Sequence, residues 1–313
     1  LDWVASSLTG YGIVVNWAAL KEKTSDLGTG ARELKLENLS FPGFKNLVLV
    51  MDPRSSKSFS AICSAIVELY GWDRGLQMIE SIMVHSRMVA KRDSSALDAV
   101  SRGEVGVSFA ADFSAYQLML NQSRPELEYS AVSPAHALRA DPIARIKNAA
   151  NPEVADRFLE FVLSRDGQSL LQLQKGIPGG PVTNHIARIS IRQDISRLRT
   201  ANLVNPVNPF TEVINEAVEE RKHVAVPAEL LAELIGVIYI DQHQKWLRIE
   251  ELNPPRNAGA KREAWLGLAF LPRQDNLDSL VKRWAQINQR SGLIEEWRKA
   301  VGVYMSKRLP QSE

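Results

Sequence analysis

The sequence predicts an α/β fold built around a mostly parallel sheet, and three observations carry that prediction. Short β-prone runs alternate with helix-spaced segments at intervals of roughly 20 to 30 residues, the rhythm of strand, crossover helix and strand. The run Asn46-Leu47-Val48-Leu49-Val50-Met51 is apolar without alternation, as strands buried on both faces are. The chain has 313 residues, 45% hydrophobic and 24% charged, enough for about two domains with their own cores.

The elements follow in order. Trp3 to Asn16 is apolar and small, with Gly10 and Gly12 inside, which predicts a buried strand where another backbone passes close. Residues 17 to 46 read as a helix and a loop. After the strand ending at Met51, Phe59, Ile62, Ala65, Ile66 and Leu69 recur at helical spacing over Ser58 to Tyr70, and Gly71 ends that helix. A helix over Asp73 to Met83, a strand over Ser86 to Ala90, a helix opened by Ser94-Ser95 and closed by Gly103, and a strand over Val105 to Phe109 come next. Ala110-Ala111-Asp112-Phe113-Ser114 leads into a helix ending near Leu120.

Asp141 to Ile146 reads as a further strand, and Pro152 opens a helix to Leu163 at the one position where its missing N–H costs nothing. Gln174 to Asn208, with Pro178-Gly179-Gly180-Pro181, is rich in turn residues and is expected to run over the surface. From about Glu212 the chain is mainly helical, broken near Asn253-Pro254-Pro255 and Leu271-Pro272. Ser279 to Gln289 and Gly292 to Lys307 carry Leu280, Trp284 and Ile287, then Leu293, Trp297, Val301 and Tyr304, as amphipathic stripes that suit packing on a neighbouring lobe.

Composition excludes several classes. Thirty-eight Lys and Arg against 36 Asp and Glu, with no basic stripe, argue against nucleic acid as a partner. The single Cys63, inside Ala61 to Val67, reads as a core residue and allows neither an internal disulfide nor a thiolate cluster. Apolar runs such as Leu47 to Met51 and Ile235 to Ile240 fall far short of the roughly 20 residues a membrane helix needs.

Motifs for the commoner enzyme classes are missing. His85, His136, His185, His223 and His243 are isolated, with no HxxxH or HExxH pair, and neither a GxSxG elbow nor a GxxxxGK[ST] loop occurs. Gly28-Thr29-Gly30 lacks the third glycine of a dinucleotide fingerprint and follows charged residues, so it reads as a loop. The pairs Glu219-Glu220, Glu250-Glu251 and Glu295-Glu296 lie in polar helical stretches and read as solvated faces. No nucleophile, base and orienting group share one polar turn, which argues against an enzyme.

Polar strand-to-helix turns are more informative. Asp52-Pro53-Arg54-Ser55-Ser56-Lys57-Ser58 joins a buried strand to a helix with hydroxyls and two cations, where free helix N–H groups and the positive end of the macrodipole suit an anion. The same stretch reads equally as N-capping by Ser55, Ser56 or Ser58. Lys91 to Asp98 repeats the arrangement, with Ser95 and Asp98 at capping-box spacing, and Asp112 to Ser114 is a third such turn. In open α/β sheets, ligands lie beyond the carboxyl ends of the strands, where these turns sit.

Taken together, the segments Trp3-Val4-Ala5-Ser6, Gly10-Tyr11-Gly12-Ile13, Leu39-Ser40-Phe41-Pro42-Gly43-Phe44-Lys45, Asp52-Pro53-Arg54-Ser55-Ser56, Leu69-Tyr70-Gly71-Trp72, Ser94-Ser95, Arg102-Gly103-Glu104, Asp141-Pro142-Ile143-Ala144 and Gly167-Gln168 resemble the iron(III)-type solute-binding proteins of bacterial ABC importers. The resemblance covers about residues 1 to 215 and implies a type II periplasmic-binding fold of two lobes with central mixed sheets. It further implies a first lobe that is N-terminally incomplete, without its signal peptide, and a helical C-terminal extension. The organisation it implies is a ligand-binding lobe over 13–130, hinge strands and the rest of lobe one over 1–12 and 131–215, and C-terminal helices over 216–313.

The resemblance implies a non-enzymatic receptor, periplasmic or at the cell surface, that closes over a solute without a tightly held cofactor and delivers it to the permease subunits. Ferric-binding members carry adjacent tyrosines where this chain reads Asp112-Phe113-Ser114-Ala115-Tyr116, so the pair is absent, although Tyr11, Asp112 and Tyr116 still offer oxygens and a ferric complex stays open as cargo. The hydroxyl-rich turns favour a phosphorylated or carboxylated solute. The expected ligand residues are Ser55, Ser56 and Ser58 as anion donors, Arg54 and Lys57 as charge, Ser94 and Ser95 from a facing helix start, and Asp112, Tyr116 and Tyr11. The alternative is a ligand-sensing receptor that signals to a sensor kinase, with the helices bearing Trp284 and Trp297 as its docking surface.

Overall fold

A computed structural model of the chain describes residues 3–23, 34–90, 92–132, 138–211, 225–252 and 276–309. The readings at Gly28-Thr29-Gly30, Lys91, His136, Glu219-Glu220, His223, Asn253-Pro254-Pro255 and Leu271-Pro272 lie outside the described residues. Two compact units are formed, one from Leu1–Gly12 with Ala110–Glu220 and one from Ile13–Phe109 with Arg221–Glu313.

In the first unit, β1 (Val4–Thr9) pairs antiparallel with β7 (Arg139–Ile143), placing Val4 opposite Ile143 and Thr9 opposite Arg139. The expected single strand over Trp3 to Asn16 is two strands. The chain breaks at Gly10, and β2 (Tyr11–Asn16) begins after it. The cause is Asp112: its carboxylate Oδ2 accepts from Gly10 N at 2.9 Å while its own N donates to Gly10 O at 2.8 Å, so Gly10 is committed to that residue. The expected close backbone is present. A Cβ added at Gly12 would lie 2.1 Å from the carbonyl oxygen of Ser130.

Ser130 belongs to β6 (Leu127–Ala131), a strand with no counterpart in the sequence reading, which assigns nothing between Leu120 and Leu138. The helix α5 (Asp112–Asn121) precedes it, and β5 (Val107–Ala111) feeds α5 without a loop. β2 is the middle strand of the order β5-β2-β6, and the division between units falls within β2 and β5. The helix α6 spans Pro152–Leu163 with the proline in its first turn, and Ser164 then caps α7 (Arg165–Gln172) by accepting from Gly167 N at 3.1 Å.

The stretch after Gln174 differs from its surface expectation. It has little regular structure, yet Ala187, Ile189, Ser190, Ile195 and Asn205 are fully buried. Glutamines on α7 make this possible by satisfying its backbone. Gln168 Oε1 accepts from Ile191 N at 3.0 Å, Gln172 Oε1 accepts from Ser190 N at 3.0 Å, and Gln172 Nε2 donates to Asn205 O at 3.0 Å. Buried loop backbone is tolerable when its polar groups find such partners.

In the second unit β3 (Leu49–Met51) is at most 1% exposed and runs parallel to β4 (Met88–Ala90), with a parallel bridge from Val48 to Val107 on β5. A parallel strand buried on both faces is what the unbroken apolar run predicts. The same unit contains the helices α1 (Trp17–Lys23), α2 (Lys57–Tyr70), α3 (Trp72–His85) and α4 (Asp93–Ser101), of which α4 packs on β3 and α2 on α3. Gly71, at φ 80°, turns the chain between α2 and α3, a conformation glycine adopts without strain. Phe59 and Cys63 face inward from α2, the former 4.9 Å from the Phe109 ring and the latter 1% exposed with burial pushing its thiol pKa up.

The C-terminal helices complete this unit. The helix α8 (Ala228–Ile235) packs on α2 and runs into a wider π turn over Gly236–Ile240, whose Ile238 carbonyl accepts from Trp246 Nε1 of α9 (His243–Leu252) at 2.7 Å. The last pair, α10 (Leu277–Ala285) and α11 (Ile287–Ser306), buries Leu280, Trp284, Leu293, Trp297 and Val301, and the two tryptophan rings stack 6.3 Å apart. The break between them is at Gln286, in extended conformation, earlier than the expected Gln289 to Gly292, and it leaves Ile287 79% exposed.

Candidate functional site

The turn after β3 is shaped by its own side chains. Ser55 N and Ser56 N both donate to Asp52 O, at 3.0 and 2.8 Å, and the Ser56 hydroxyl caps α2 by accepting from Phe59 N at 3.0 Å. Ser55 Oγ donates to Asp52 O at 3.2 Å. Ser58 Oγ donates to Asp93 Oδ2 at 2.6 Å, which ties the start of α2 to the start of α4. Arg54 is fully engaged: Nε meets Asp52, Nη2 meets Asp52 Oδ2 at 2.7 Å and Asp241 Oδ1 at 2.6 Å, and Nη1 meets Asp241 Oδ2 at 3.2 Å. Hydrogen bonds first to Asp52 and then to Asp241 raise its pKa further. Lys57 is exposed.

Ser94 and Ser95 are exposed and lie inside the first turn of α4, because the helix begins one residue earlier, at Asp93, with Arg92 as its cap. The expected capping box from Ser95 to Asp98 therefore does not form. An acidic residue at the positive helix end, bonded to Ser58, draws the helix start back to Asp93. Of the three serines at the start of α2, Ser55 and Ser58 donate their protons to Asp52 O and Asp93 Oδ2, while Ser56 accepts from Phe59 N.

The first unit gathers a different group. Asp112, 1% exposed, opens α5, and its Oδ2 accepts from Gly10 N at 2.9 Å and Asn205 Nδ2 at 2.7 Å while Oδ1 accepts from Phe113 N at 2.6 Å. Burial outweighs these donors and the nearby Arg188, and its pKa is pushed up to about 7. Three phenols surround it. Tyr116 on α5 packs 5.5 Å, ring to ring, from Tyr129 on β6, and Tyr11 opens β2. The Tyr129 hydroxyl oxygen is buried without a hydrogen-bond partner, and a Cβ on Gly10 would lie 3.6 Å from it and 3.0 Å from Asp112 Oδ2.

Burial raises the pKa of all three tyrosines, that of Tyr116 to about 12, with the charge of Asp112 adding in the same direction. The phenols are accordingly held protonated, as O–H donors. Beside them Arg188 Nη1 donates to Thr9 Oγ1 at 2.6 Å and Asp141 Oδ2 at 2.7 Å, and its guanidinium lies 3.5 Å over the Phe113 ring. Asp141 Oδ2 also accepts from the Ser7 and Thr9 hydroxyls, each at 2.7 Å.

The structure thus brings Tyr11, Asp112 and Tyr116 together, and separately brings Ser55, Ser56, Ser58, Arg54 and Lys57 into one turn. Tyr129, Arg188, Thr9, Asn205 and Phe113 were not singled out from sequence. Tyr129 lies on β6, whose short mixed pattern does not mark a strand, and Arg188 sits in an irregular stretch with no periodicity to mark it. Among the described residues, no group of three or more His, Cys, Asp or Glu side chains is placed to hold a metal ion.

A family described as bacterial extracellular solute-binding protein matches residues 2–194. The phosphoglycerate transport regulatory protein PgtC of Salmonella typhimurium is 25% identical over 177 residues, 54% of this chain and 40% of the relative, so the chain spans well under half the length of the curated relatives it matches. A solved two-component system protein that mediates signal transduction is 18% identical with a TM-score of 0.51, covering 75% of this chain and 69% of that one. Iron-bound HitA from Pseudomonas aeruginosa is 16% identical with a TM-score of 0.48, covering 68% and 61%.

Proposed function

This chain belongs to the bacterial extracellular solute-binding protein family and has the type II periplasmic-binding fold, and from that premise we propose that it is part of a non-enzymatic receptor that captures a small oxygen-rich anionic solute for an ABC importer. The proposed location is the periplasm or cell surface, and the proposed partners are the membrane subunits of a permease. Among the described residues no helix is long and apolar enough to cross a membrane.

The observation that carries the solute class is the state of the Asp112 group. Tyr11, Tyr116 and Tyr129, protonated at neutral pH as tyrosines are, gather as O–H donors around the buried Asp112, and the Tyr129 hydroxyl is buried without a hydrogen-bond partner. Donors of this kind suit phosphoryl, carboxylate and hydroxyl oxygens. The name of the Salmonella relative supports this class, since phosphoglycerate carries a phosphoryl group, a carboxylate and a hydroxyl. In the second unit Ser56, Ser94 and Ser95, with Lys57, remain the proposed anion-facing residues of the α2 and α4 starts, whereas Ser55, Ser58 and Arg54 commit their donors to Asp52, Asp93 and Asp241.

The test is a thermal-shift screen with sugar phosphates, phosphoglycerates, phosphonates, dicarboxylates, polyamines and ferric citrate. A ligand at about 100 times its dissociation constant adds roughly 2.7 kcal/mol, enough to raise the midpoint by a few degrees. Stabilisation by a phosphorylated or carboxylated compound is expected. Stabilisation by ferric salts alone would replace the proposed solute class with a metal cargo, and the absence of any shift would sink the receptor reading.

A further inference from the structure

Two arginines lie at the polar edges described above, and their commitments differ. Arg54 spends Nε, Nη1 and Nη2 on the carboxylates of Asp52 and Asp241, so its charge and its donors are both consumed. Arg188 spends only Nη1, on Thr9 and Asp141, and its Nε and Nη2 donors have no partner among the described residues. Its guanidinium is nevertheless fixed, with one face 3.5 Å over the Phe113 ring. A stacked guanidinium keeps its in-plane edge free, the edge that meets a carboxylate or phosphoryl group in a two-pronged contact.

The setting adds to this. Phe113 is the second residue of α5, so the guanidinium lies beside the positive end of that ten-residue helix. Arg188 acts electrostatically on both Asp112 and Tyr11, so it lies on the Tyr11 and Asp112 side of the phenol group. The buried, unpartnered hydroxyl of Tyr129 is a second and independent sign of a missing occupant, because a hydroxyl removed from water without a hydrogen bond is costly. Asp141 meets Arg188 through one oxygen and one nitrogen, whereas Arg54 is held by two carboxylates across all three of its nitrogens.

We propose that Arg188 receives the acidic group of the solute on its free Nε–Nη2 edge, with the hydroxyls of Tyr129, Tyr11 and Tyr116 taking the solute's remaining oxygens. The assignment rests on the reading of the Asp112 group as a solute site. It makes Arg188 the residue that selects anionic over neutral polyols, and it makes Phe113 the platform that holds the guanidinium in place.

Titration calorimetry on the full chain with 3-phosphoglycerate, inorganic phosphate and glycerol tests it. For the unaltered chain, heat is expected with 3-phosphoglycerate and none with glycerol. Arg188→Gln should weaken phosphoglycerate binding about 100-fold, and Arg188→Lys, which keeps the charge but not the fork, about 10-fold. Phe113→Leu, which alters no charge, should weaken binding several-fold by freeing the guanidinium, and Tyr129→Phe should act similarly. Arg188→Lys also guards against misfolding, because the ammonium can still reach Asp141, and its circular dichroism should match that of the unaltered chain. If the chain binds phosphoglycerate and Arg188→Lys and Arg188→Gln bind it equally well, the assignment of Arg188 fails while the solute site stands. If the unaltered chain binds neither anion, the solute reading fails and takes the assignment with it.

Discussion

Asp112 offers the sharpest quantitative test, because its burial and its hydrogen bonds pull in opposite directions. The carboxyl is 1% exposed and its pKa in the fold is about 7, against about 3.9 in an unfolded chain. The folded state therefore holds its proton after the unfolded state has lost it. The stabilising contribution is complete below about pH 4, is lost as pH rises toward 7, and is flat above that. The linkage integral between these two values gives a loss of about 2.5 kcal/mol between pH 5 and pH 8. Asp112→Asn removes the titration. Its carbonyl oxygen can still accept from Gly10 N and Asn205 Nδ2, but the acceptor for Phe113 N is gone, a cost of about 1 kcal/mol. Urea unfolding at pH 5, 6, 7 and 8 should then find the two chains within about 0.5 kcal/mol of each other at pH 5 and the asparagine variant ahead by about 3 kcal/mol at pH 8. A constant gap between the two chains at all four pH values would refute the reasoning, because it would mean that the three N–H donors hold Asp112 ionised throughout.

Other perturbations follow from single contacts. Gly12→Ala should cost about 3 kcal/mol or abolish folding, seen as a lowered urea midpoint, because the new methyl would lie 2.1 Å from Ser130 O. Ser56→Ala should cost about 1 kcal/mol through loss of the α2 cap, whereas Ser55→Ala, whose hydroxyl is exposed, should stay within about 0.5 kcal/mol in the same measurement. Trp297→Ala should cost roughly 3 to 5 kcal/mol and quench the stacked environment of Trp284, read as a shift in tryptophan emission.

What was legible in the sequence is what local physics decides. The run from Leu47 to Met51 could only be a strand buried on both faces, and the spacing of Phe59, Ile62 and Ile66 could only place one face of α2 inward. Pro152 at a helix start needs nothing beyond its own geometry. What was not legible depends on distant partners. The break at Gly10 is imposed by Asp112, some hundred residues on, and the buried course of Ala187 to Ser190 is made affordable by Gln168 and Gln172. β6 carries Glu128, Tyr129 and Ser130 in a pattern too short and mixed to announce a strand, and its identity comes from Gly12 opposite it. For the candidate site the same division holds: Asp112 and Tyr116 share a helix start and could be named together, while Arg188 joins them only through the fold.

The ion triad of Arg54 with Asp52 and Asp241 bridges a sequence separation of 187 residues. On a ribosome adding roughly 5 to 20 residues per second, the turn after β3 emerges some 10 to 40 s before the residue that completes its charge balance. Throughout that interval α2 exists without α8, the helix that later covers it. Synthesis thus imposes an order on the molecule. The segment Ala110–Glu220 emerges whole between the two halves of its neighbour, and the unit formed by Ile13–Phe109 and Arg221–Glu313 closes last. Slowing translation beyond residue 220 would lengthen the life of a half-made core, which is where a nascent-chain chaperone or a protease would find its opening.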